Sequence, residues 1–531
     1  MAAPQGEPGV VGAGRAVVRA PLLRLQGITK RFGALLANDA IDLELAAGEV
    51  VALLGENGAG KTTLTSILFG HYAADAGTVE VSDGQGGLVL LPPGSPEAAL
   101  RAGVGMVHQH FTLAHNLTGF ENIVLGTEPW WWPGLARGGA RARIGALARR
   151  MGLEVELDRR VGELGVGARQ RIEILKALFR EARLLVLDEP TAVLTPQEAQ
   201  GLLATVRALA RDGRGVIFIT HKLAEVEAVA DRVVVLRQGR KVADLPIAAA
   251  GRAELARLMV GREVRPPVRR PHRPGRPLLR LQGVSAGTGR DRIEAVDLEL
   301  RAGEILGIAG VSGNGQASLA GLVAGLLRPQ AGRALLDDDP RPLSSPRAAA
   351  RAGIGRIPED RERDGVVGEL DLASNLALER LESPETSRLG LLRRGAMRAR
   401  AAAAIEAFDI RCPGPDAPVR LMSGGNLQKV VLARALAGAP RLVLADQPTR
   451  GLDVAATAFV HERLLAAREQ GTAVLLISED LDELLALSDR IAVLHRGRLA
   501  GPFASDGLDV PTLGLLMAGH EAAAPAVETA A

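Results

Sequence analysis

An α/β fold repeated in tandem is what the 531-residue sequence predicts, and three observations carry that expectation. The first is internal repetition. "AIDLELAAGEVVALLGENGAGKTTLTSILFG" from Ala40 to Gly70 returns as "AVDLELRAGEILGIAGVSGNGQASLAGLVAG" from Ala295 to Gly325, and "LLVLDEPT" ending at Thr191 returns as "LVLADQPT" ending at Thr449. Repetition in the same order over such lengths marks a duplicated domain. The second is the alternation, within each copy, of short apolar runs such as Val50 to Leu54 and Leu184 to Leu187 with helix-patterned stretches. That pattern reads as buried parallel strands joined by helices. The third is a glycine-rich loop, Gly55 to Thr63, set between a strand-like run and a helix-like one.

Along the chain, Pro4, Gly6, Pro8 and Gly9 interrupt an opening stretch that lacks the apolar centre of an export signal. Residues 1–21 are therefore expected to form a disordered leader that is retained. The first domain is placed at 22–260 and the second at 278–520, with 521–531 as a disordered tail. Between the domains, "GREVRPPVRRPHRPGRP" from Gly261 to Pro277 combines prolines that forbid helix with arginines that repel one another, and reads as an extended, solvated linker. Asn116 to Leu178 and Ser374 to Leu436, rich in Arg, Ala and Leu, read as a helical lobe inserted into each core. Although 47% of the residues are apolar, no run approaches the roughly 20 that a membrane helix requires. A net charge of +3 offers no strongly basic surface for nucleic acid, and the single cysteine, Cys412, excludes an internal disulfide or a cysteine-based zinc site.

The loop supplies the chemistry. Across Gly55, Glu56, Asn57, Gly58, Ala59 and Gly60 the backbone N–H groups can curl around phosphates, and Lys61 adds a cation for the β and γ groups. Thr62 offers a hydroxyl to Mg²⁺, and Thr63 completes the first turn of a helix whose dipole favours anions. In "LLVLDEPT", Asp188 ends a strand where it can hold Mg²⁺ through water, and Glu189 can polarise the attacking water.

Those motifs occur in order with Gln109 in "VHQHF", "LGVGARQ" from Leu164 and His221 in "IFITHKL", while the second copy carries "LMSGGNLQK" from Leu421. The arrangement resembles an ATP-binding-cassette nucleotide-binding domain, over Leu22 to Met259 and again over Leu278 to Met517. The resemblance implies two tandem P-loop domains, each a RecA-like α/β core with an inserted helical subdomain and an N-terminal antiparallel β subdomain. It gives Gln109 the task of joining Mg²⁺ and the attacking water to membrane subunits, and His221 a bond to the γ-phosphate. Phe32 in "KRFGA" is similar to the aromatic that stacks on adenine, at a position where a ring otherwise serves packing. The family pairs its domains head to tail, each ATP clamped between one phosphate loop and the opposite signature.

The second copy keeps the loop glycines Gly310 and Gly315 but replaces Lys61 with Gln316 and Thr62 with Ala317. Glu359 stands at the place of Gln109, Gln447 at Glu189 and Glu479 at His221; Asp446 survives. A neutral amide cannot act as a base, and added carboxylates repel a triphosphate. The signatures differ in the opposite sense. Ser423, Gly424, Gly425 and Gln428 are intact for the ATP held by the first loop, and Asp453 is available to it. Gly165 and Thr195 replace the serine and aspartate that would serve the second loop. Every departure therefore falls on one composite site, which decay of the second copy alone does not explain.

"PEDRERDGVV" from Pro358 and "QPTRGLDV" from Gln447 resemble the ATPase subunits of importers for simple sugars and nucleosides. "GNGQ" from Gly313, Gln447 and "NIVLGTEP" from Asn122 resemble the nucleoside branch more than the ribose or galactose branch. The resemblance implies ATP and Mg²⁺ as cofactors, two membrane permease subunits and an extracytoplasmic substrate-binding protein as partners, no nucleic acid, and a place at the cytoplasmic membrane face. Trp130, Trp131 and Trp132 fall near the lobe expected to meet the permease, as an anchor or as a loop folded on its own lobe. A soluble ribosome-binding tandem ATPase would bring two competent sites and a long charged helical arm in place of this short Pro-rich connector.

Overall fold

A computed structural model describes residues 20–33, 35–108, 112–127, 137–191, 194, 196–263 and 268–520. Gln109, Trp130 to Trp132 and Thr195 lie outside the described residues. The chain divides into two compact units that part at Gly261.

In the first unit, a six-stranded sheet runs in the order Val104–Val107, Leu184–Asp188, Gly215–Ile219, Val50–Leu54, Arg232–Arg237 and Arg240–Pro246. The first five strands are parallel and the last is antiparallel at the edge. Both faces are covered, and side chains alternate between them as strand geometry requires. Val51, Leu53, Val186 and Ile217 share a core with Leu23, Leu25 and Ile41 of a four-stranded antiparallel sheet, while Val50, Leu185, Leu187 and Phe218 share one with Ile123, Ile144 and Ile172 of a helical lobe. The lobe holds the helices Gly119–Val124, Arg137–Met151 and Val166–Phe179. Its first helix starts where Thr118 and Glu121 form a reciprocal capping box.

The second unit repeats the plan. Its six-stranded sheet is ordered Ile354–Ile357, Leu442–Asp446, Ala473–Ser478, Ile305–Ala309, Arg490–His495 and Arg498–Ala504, beside a three-stranded antiparallel sheet. Its lobe holds Leu372–Ala377, Arg394–Ala407 and Gly424–Ala435. Among the described residues no helix is long and apolar enough to cross a membrane.

The connector is irregular and mostly exposed, as expected of an extended, solvated linker, and it is tied to the second unit at two points. Its described residues 268–276 have no regular structure, yet Arg269 donates to the Ser488 carbonyl at 2.7 Å and the Arg270 carbonyl accepts from Arg468 at 3.0 Å. The cause is Asp489, which accepts from the Ile305 N–H at 2.9 Å and pairs with Arg468, a guanidinium only 1% exposed. A buried ion pair must be fully partnered, and the connector supplies a carbonyl and a second cation.

Asp489→Ala, which leaves Arg468 buried without its counter-charge, is expected to destabilise the second unit by about 3–5 kcal/mol in chemical denaturation. The matching Asp231→Ala, whose partner Arg207 is 35% exposed, should cost clearly less.

Candidate functional site

Polar chemistry collects where the buried strands end. Gly55 follows Val50–Leu54, Asp188 closes Leu184–Asp188, and His221 lies two residues beyond Gly215–Ile219, so three adjacent parallel strands deliver their carboxyl ends to one place. The loop between Gly55 and Lys61 is pressed onto its surroundings. Gly55 has φ 153° and Gly60 φ 100°, and a Cβ on either would come within 2.3 Å of a backbone carbonyl, Leu236 and Ala37 respectively. Only glycine permits that approach. Lys61 is buried, and its Nζ donates to the carbonyls of Gly55 at 2.8 Å and Glu56 at 3.0 Å, which folds the cation over its own loop. Thr62 is exposed and Thr63 half-buried in the first turn of Lys61–Leu68; Asn57 and Gly58 are exposed at the loop's tip and Ala59 is buried beneath it.

Asp188 and Glu189 differ although they are neighbours. Burial, then the Glu189 charge, pushes the Asp188 carboxyl up to about 6 against a partial offset from Lys61. Burial would raise Glu189 too. Its bond to His221, with the charges of His221, Lys61 and Lys222, outweighs that and holds the group below the usual range. Glu189 Oε1 lies 3.1 Å from His221 Nδ1, and the residue sits at φ 45°, in the left-handed region. Such a conformation costs about 1–2 kcal/mol for a residue with a Cβ; here it turns the carboxylate off the strand axis toward His221.

A residue that sequence reasoning missed holds the two loops together. Buried Glu225 accepts from Thr191 Oγ1 at 2.6 Å and from Thr220 Oγ1 at 2.9 Å, tying the segment after Glu189 to the one before His221. Its signal was its recurrence: Glu483 occupies the matching place and accepts from Thr449 and Ser478. Tyr72 was also missed. Phe32, 43% exposed at the end of Pro21–Phe32, meets the Tyr72 ring edge-on at 5.5 Å between centroids. Thr288 and Leu327 stand at these two places in the second copy, so the aromatic pair has no counterpart there.

The second unit repeats the backbone and changes the chemistry. Gly315 has φ 115°, and a Cβ on Gly310 would meet Gln316 Nε2 at 2.4 Å. Gln316 donates to the Val311 carbonyl at 2.8 Å and accepts from the Asn314 N–H at 3.1 Å, closing the loop on itself. Ala317 is exposed and has no polar group to offer. Gln447 keeps the left-handed turn at φ 48°, and its Oε1 accepts from the Glu479 N–H at 3.3 Å. Glu359, expected to repel phosphate, is ion-paired with Arg450. Even so, burial and the Glu359 and Glu479 charges push Asp446 up to about 7, beyond what Arg356 and Arg450 offset.

The signature residues divide. Ser423 is the residue before the helix Gly424–Ala435, its Oγ accepting from Asn426 at 3.0 Å, and Asp453 caps the next helix through the Ala456 N–H at 2.8 Å. Gln428, expected at the nucleotide, is buried and donates to the Pro448 carbonyl at 2.6 Å. Gln170 makes the same bond to Pro190 in the other unit, so this glutamine ties the helix to the following loop and is scaffold. Gly165 precedes Val166–Phe179 without any side-chain cap. Beside Gly424 lies the Arg361 guanidinium; beside Gly167, which matches Gly425, lies the Glu198 carboxylate.

Residues 38–192 and 293–450 match the family described as ABC transporter. The chain is 44% identical to the glucose import ATP-binding protein of Haloferax volcanii, over 95% of this chain and 96% of that one. It is 41% identical to the nucleoside import ATP-binding protein of Lactococcus lactis, over 94% and 98%. An archaeal ribosome recycling factor superposes with a TM-score of 0.61 over 90% of each chain at 21% identity, a likeness of fold alone.

Because the folded Asp188 carboxyl binds its proton more tightly than an unfolded one near 3.8, its protonation stabilises the nucleotide-free protein fully below about pH 4, an effect lost as pH rises through about 6. Asp188→Asn should therefore raise the nucleotide-free Tm at pH 8 and leave it unchanged near pH 4.

Proposed function

The chain belongs to the ABC transporter family and is an ATPase, and from that premise we propose that it energises nucleoside import through separate permease subunits, splitting ATP at one composite site. The observation that carries this reading is the unequal distribution of reactive groups over two copies of one scaffold. Lys61, Thr62, Asp188, Glu189 and His221 converge in the first unit, where the second has Gln316, Ala317, Asp446, Gln447 and Glu479.

Catalysis of phosphoryl transfer is largely positioning and electrostatics. The triphosphate draws Lys61 off the Gly55 and Glu56 carbonyls and becomes the cation's new partner. Glu189, held ionised beside His221, orients the attacking water and accepts its proton, while His221 keeps Nε2 for the γ-phosphate. Mg²⁺, when bound, neutralises charge on the β and γ groups. Thr62, Asp188 and Gln109 are the residues that would hold it, and a buried carboxyl as reluctant to ionise as Asp188 fits a cation. Ser423, Gly424 and Gly425 receive the γ-phosphate from the opposite side, and Asp453 completes that side. The signature before Val166 lacks the serine, and the Glu198 carboxylate near its first turn opposes an anion there.

Import requires partners that span the membrane, since no described helix here can do so. We place the chain at the cytoplasmic face of two permease subunits, fed by a substrate-binding protein outside. The nucleoside assignment rests on "GNGQ", Gln447 and "NIVLGTEP". A monosaccharide is the second reading, favoured by the 44% identity to a glucose import protein.

In the assembled transporter, Lys61→Ala or Glu189→Gln should abolish ATP turnover, whereas Gln447→Ala should stay within about twofold of wild type; comparable losses from both sides would defeat the one-site reading. The substrate-binding protein of the same transporter should gain thermal stability with nucleosides and not with glucose or ribose; the reverse preference moves the assignment to monosaccharides.

A further inference from the structure

We infer that charges found only in the second copy form a brace that positions the Ser423 signature and the Asp453 loop for catalysis on the opposite phosphate loop. The inference rests on the composite-site reading above. Among the replacements that separate the copies here are Glu359 for Gln109, Arg361 for Phe111 and Arg450 for Ala192. None of the three new residues is needed by a pocket that has lost its lysine and its base, yet they are joined to one another.

Arg361 is the centre. Its Nη1 donates to the Arg450 carbonyl at 2.7 Å, and its Nη2 lies over the signature, where a Cβ on Gly424 would approach it to 2.7 Å and one on Gly451 to 3.7 Å. Glu359, two residues earlier, holds the Arg450 side chain in an ion pair, so both ends of Arg450 are fixed from one short segment. That segment is itself anchored. Asp360 accepts from the Glu362 N–H at 3.1 Å and the Arg363 N–H at 3.0 Å, and a Cβ on Gly365 would meet Val431 of the signature helix at 3.0 Å.

The parts so connected are the ones with the least stiffness of their own. Gly424, Gly425 and Gly451 are glycines, with the largest conformational entropy to lose. Ser423 must present its hydroxyl, and Asp453 follows Gly451 by two residues. A planar guanidinium with donors in a fixed fork can span two backbone segments, which a lysine ammonium does with fewer contacts. Arg361, Arg450 and Glu359 are thus positioning residues. The place of Gln109 has been converted from service at its own pocket to support of the opposite one.

The test uses the assembled transporter. Arg361→Ala should lower kcat by about tenfold or more, while ATP affinity of the full chain carrying Glu189→Gln changes by less than about twofold. Arg361→Lys should recover at least about threefold of that kcat loss. Glu359→Gln and Arg450→Ala should each lower kcat, and the double variant no further than the worse single, as coupled residues do. An unchanged kcat in Arg361→Ala, or additive losses in the cycle, overturns the brace. If Arg361→Ala does not fold, the cycle alone decides, since Glu359 and Arg450 have half-exposed side chains. Lys61→Ala run in parallel separates the two failures: residual turnover there defeats the composite site, whereas full loss there with unaffected Arg361→Ala defeats only the brace.

Discussion

Burial of one parallel sheet on both faces is the constraint from which the site follows. Val50–Leu54 and Gly215–Ile219 are buried at every position, with alternate residues in two different cores. Such strands have no exposed face on which to carry a charged group, because an unpartnered buried charge costs far more than a strand can return. Chemistry is displaced to the carboxyl ends, where Gly55, Asp188 and His221 lie side by side. The close approach of Gly55 and Gly60 to neighbouring carbonyls then fixes the loop against that edge. Loop shape is therefore set by packing, which is why Gly310 and Gly315 persist in a copy that has lost the reactive side chains.

Duplication makes scaffold and chemistry separable. Glu225 and Glu483, Gln170 and Gln428, and Asn122 and Asn375 recur in both copies and make matching buried bonds. The left-handed turn at Glu189 and Gln447 recurs as well. A strained backbone retained where the carboxylate has gone serves the fold of the loop, since both residues also donate their N–H to the neighbouring strand. What differs between copies is the reactive set: Lys61 against Gln316, Thr62 against Ala317, His221 against Glu479.

Much of this was legible from residue order. The α/β class, the tandem repeat and the two inserted lobes follow from periodicity and repetition, because buried strands and amphipathic helices leave distinct patterns. The phosphate loop was legible because its glycines, lysine and threonine stand in fixed spacing. Gln428 was misassigned because a signature motif does not say which of its members face inward; its recurrence as Gln170 beside a defective signature was the available clue. The connector's exposure was legible, but its anchoring was not, because Asp489 and Arg468 are brought to Arg269 and Arg270 only by the fold. Glu225 and Tyr72 escaped notice for the same reason, since their partners are brought to them only by the fold.

The second pocket differs in its internal bonds as well as in the groups it lacks. In the first loop, Lys61 takes two carbonyls and offers a cation that a triphosphate can recruit. Gln316 takes the Val311 carbonyl, and its own oxygen accepts from the Asn314 N–H, where the matching Ala59 N–H of the first loop is taken by the Glu56 carbonyl at 3.1 Å. Gln316 itself carries no charge that an anion could recruit. Asp446 is pushed up to about 7 by burial and by the carboxylates of Glu359 and Glu479, the same direction as Asp188 in the first unit. Glu359 is meanwhile engaged by Arg450, whose carbonyl is held by the guanidinium beside Gly424. Glu359, which acts on Asp446, is thus joined through Arg450 and Arg361 to the signature of its own unit.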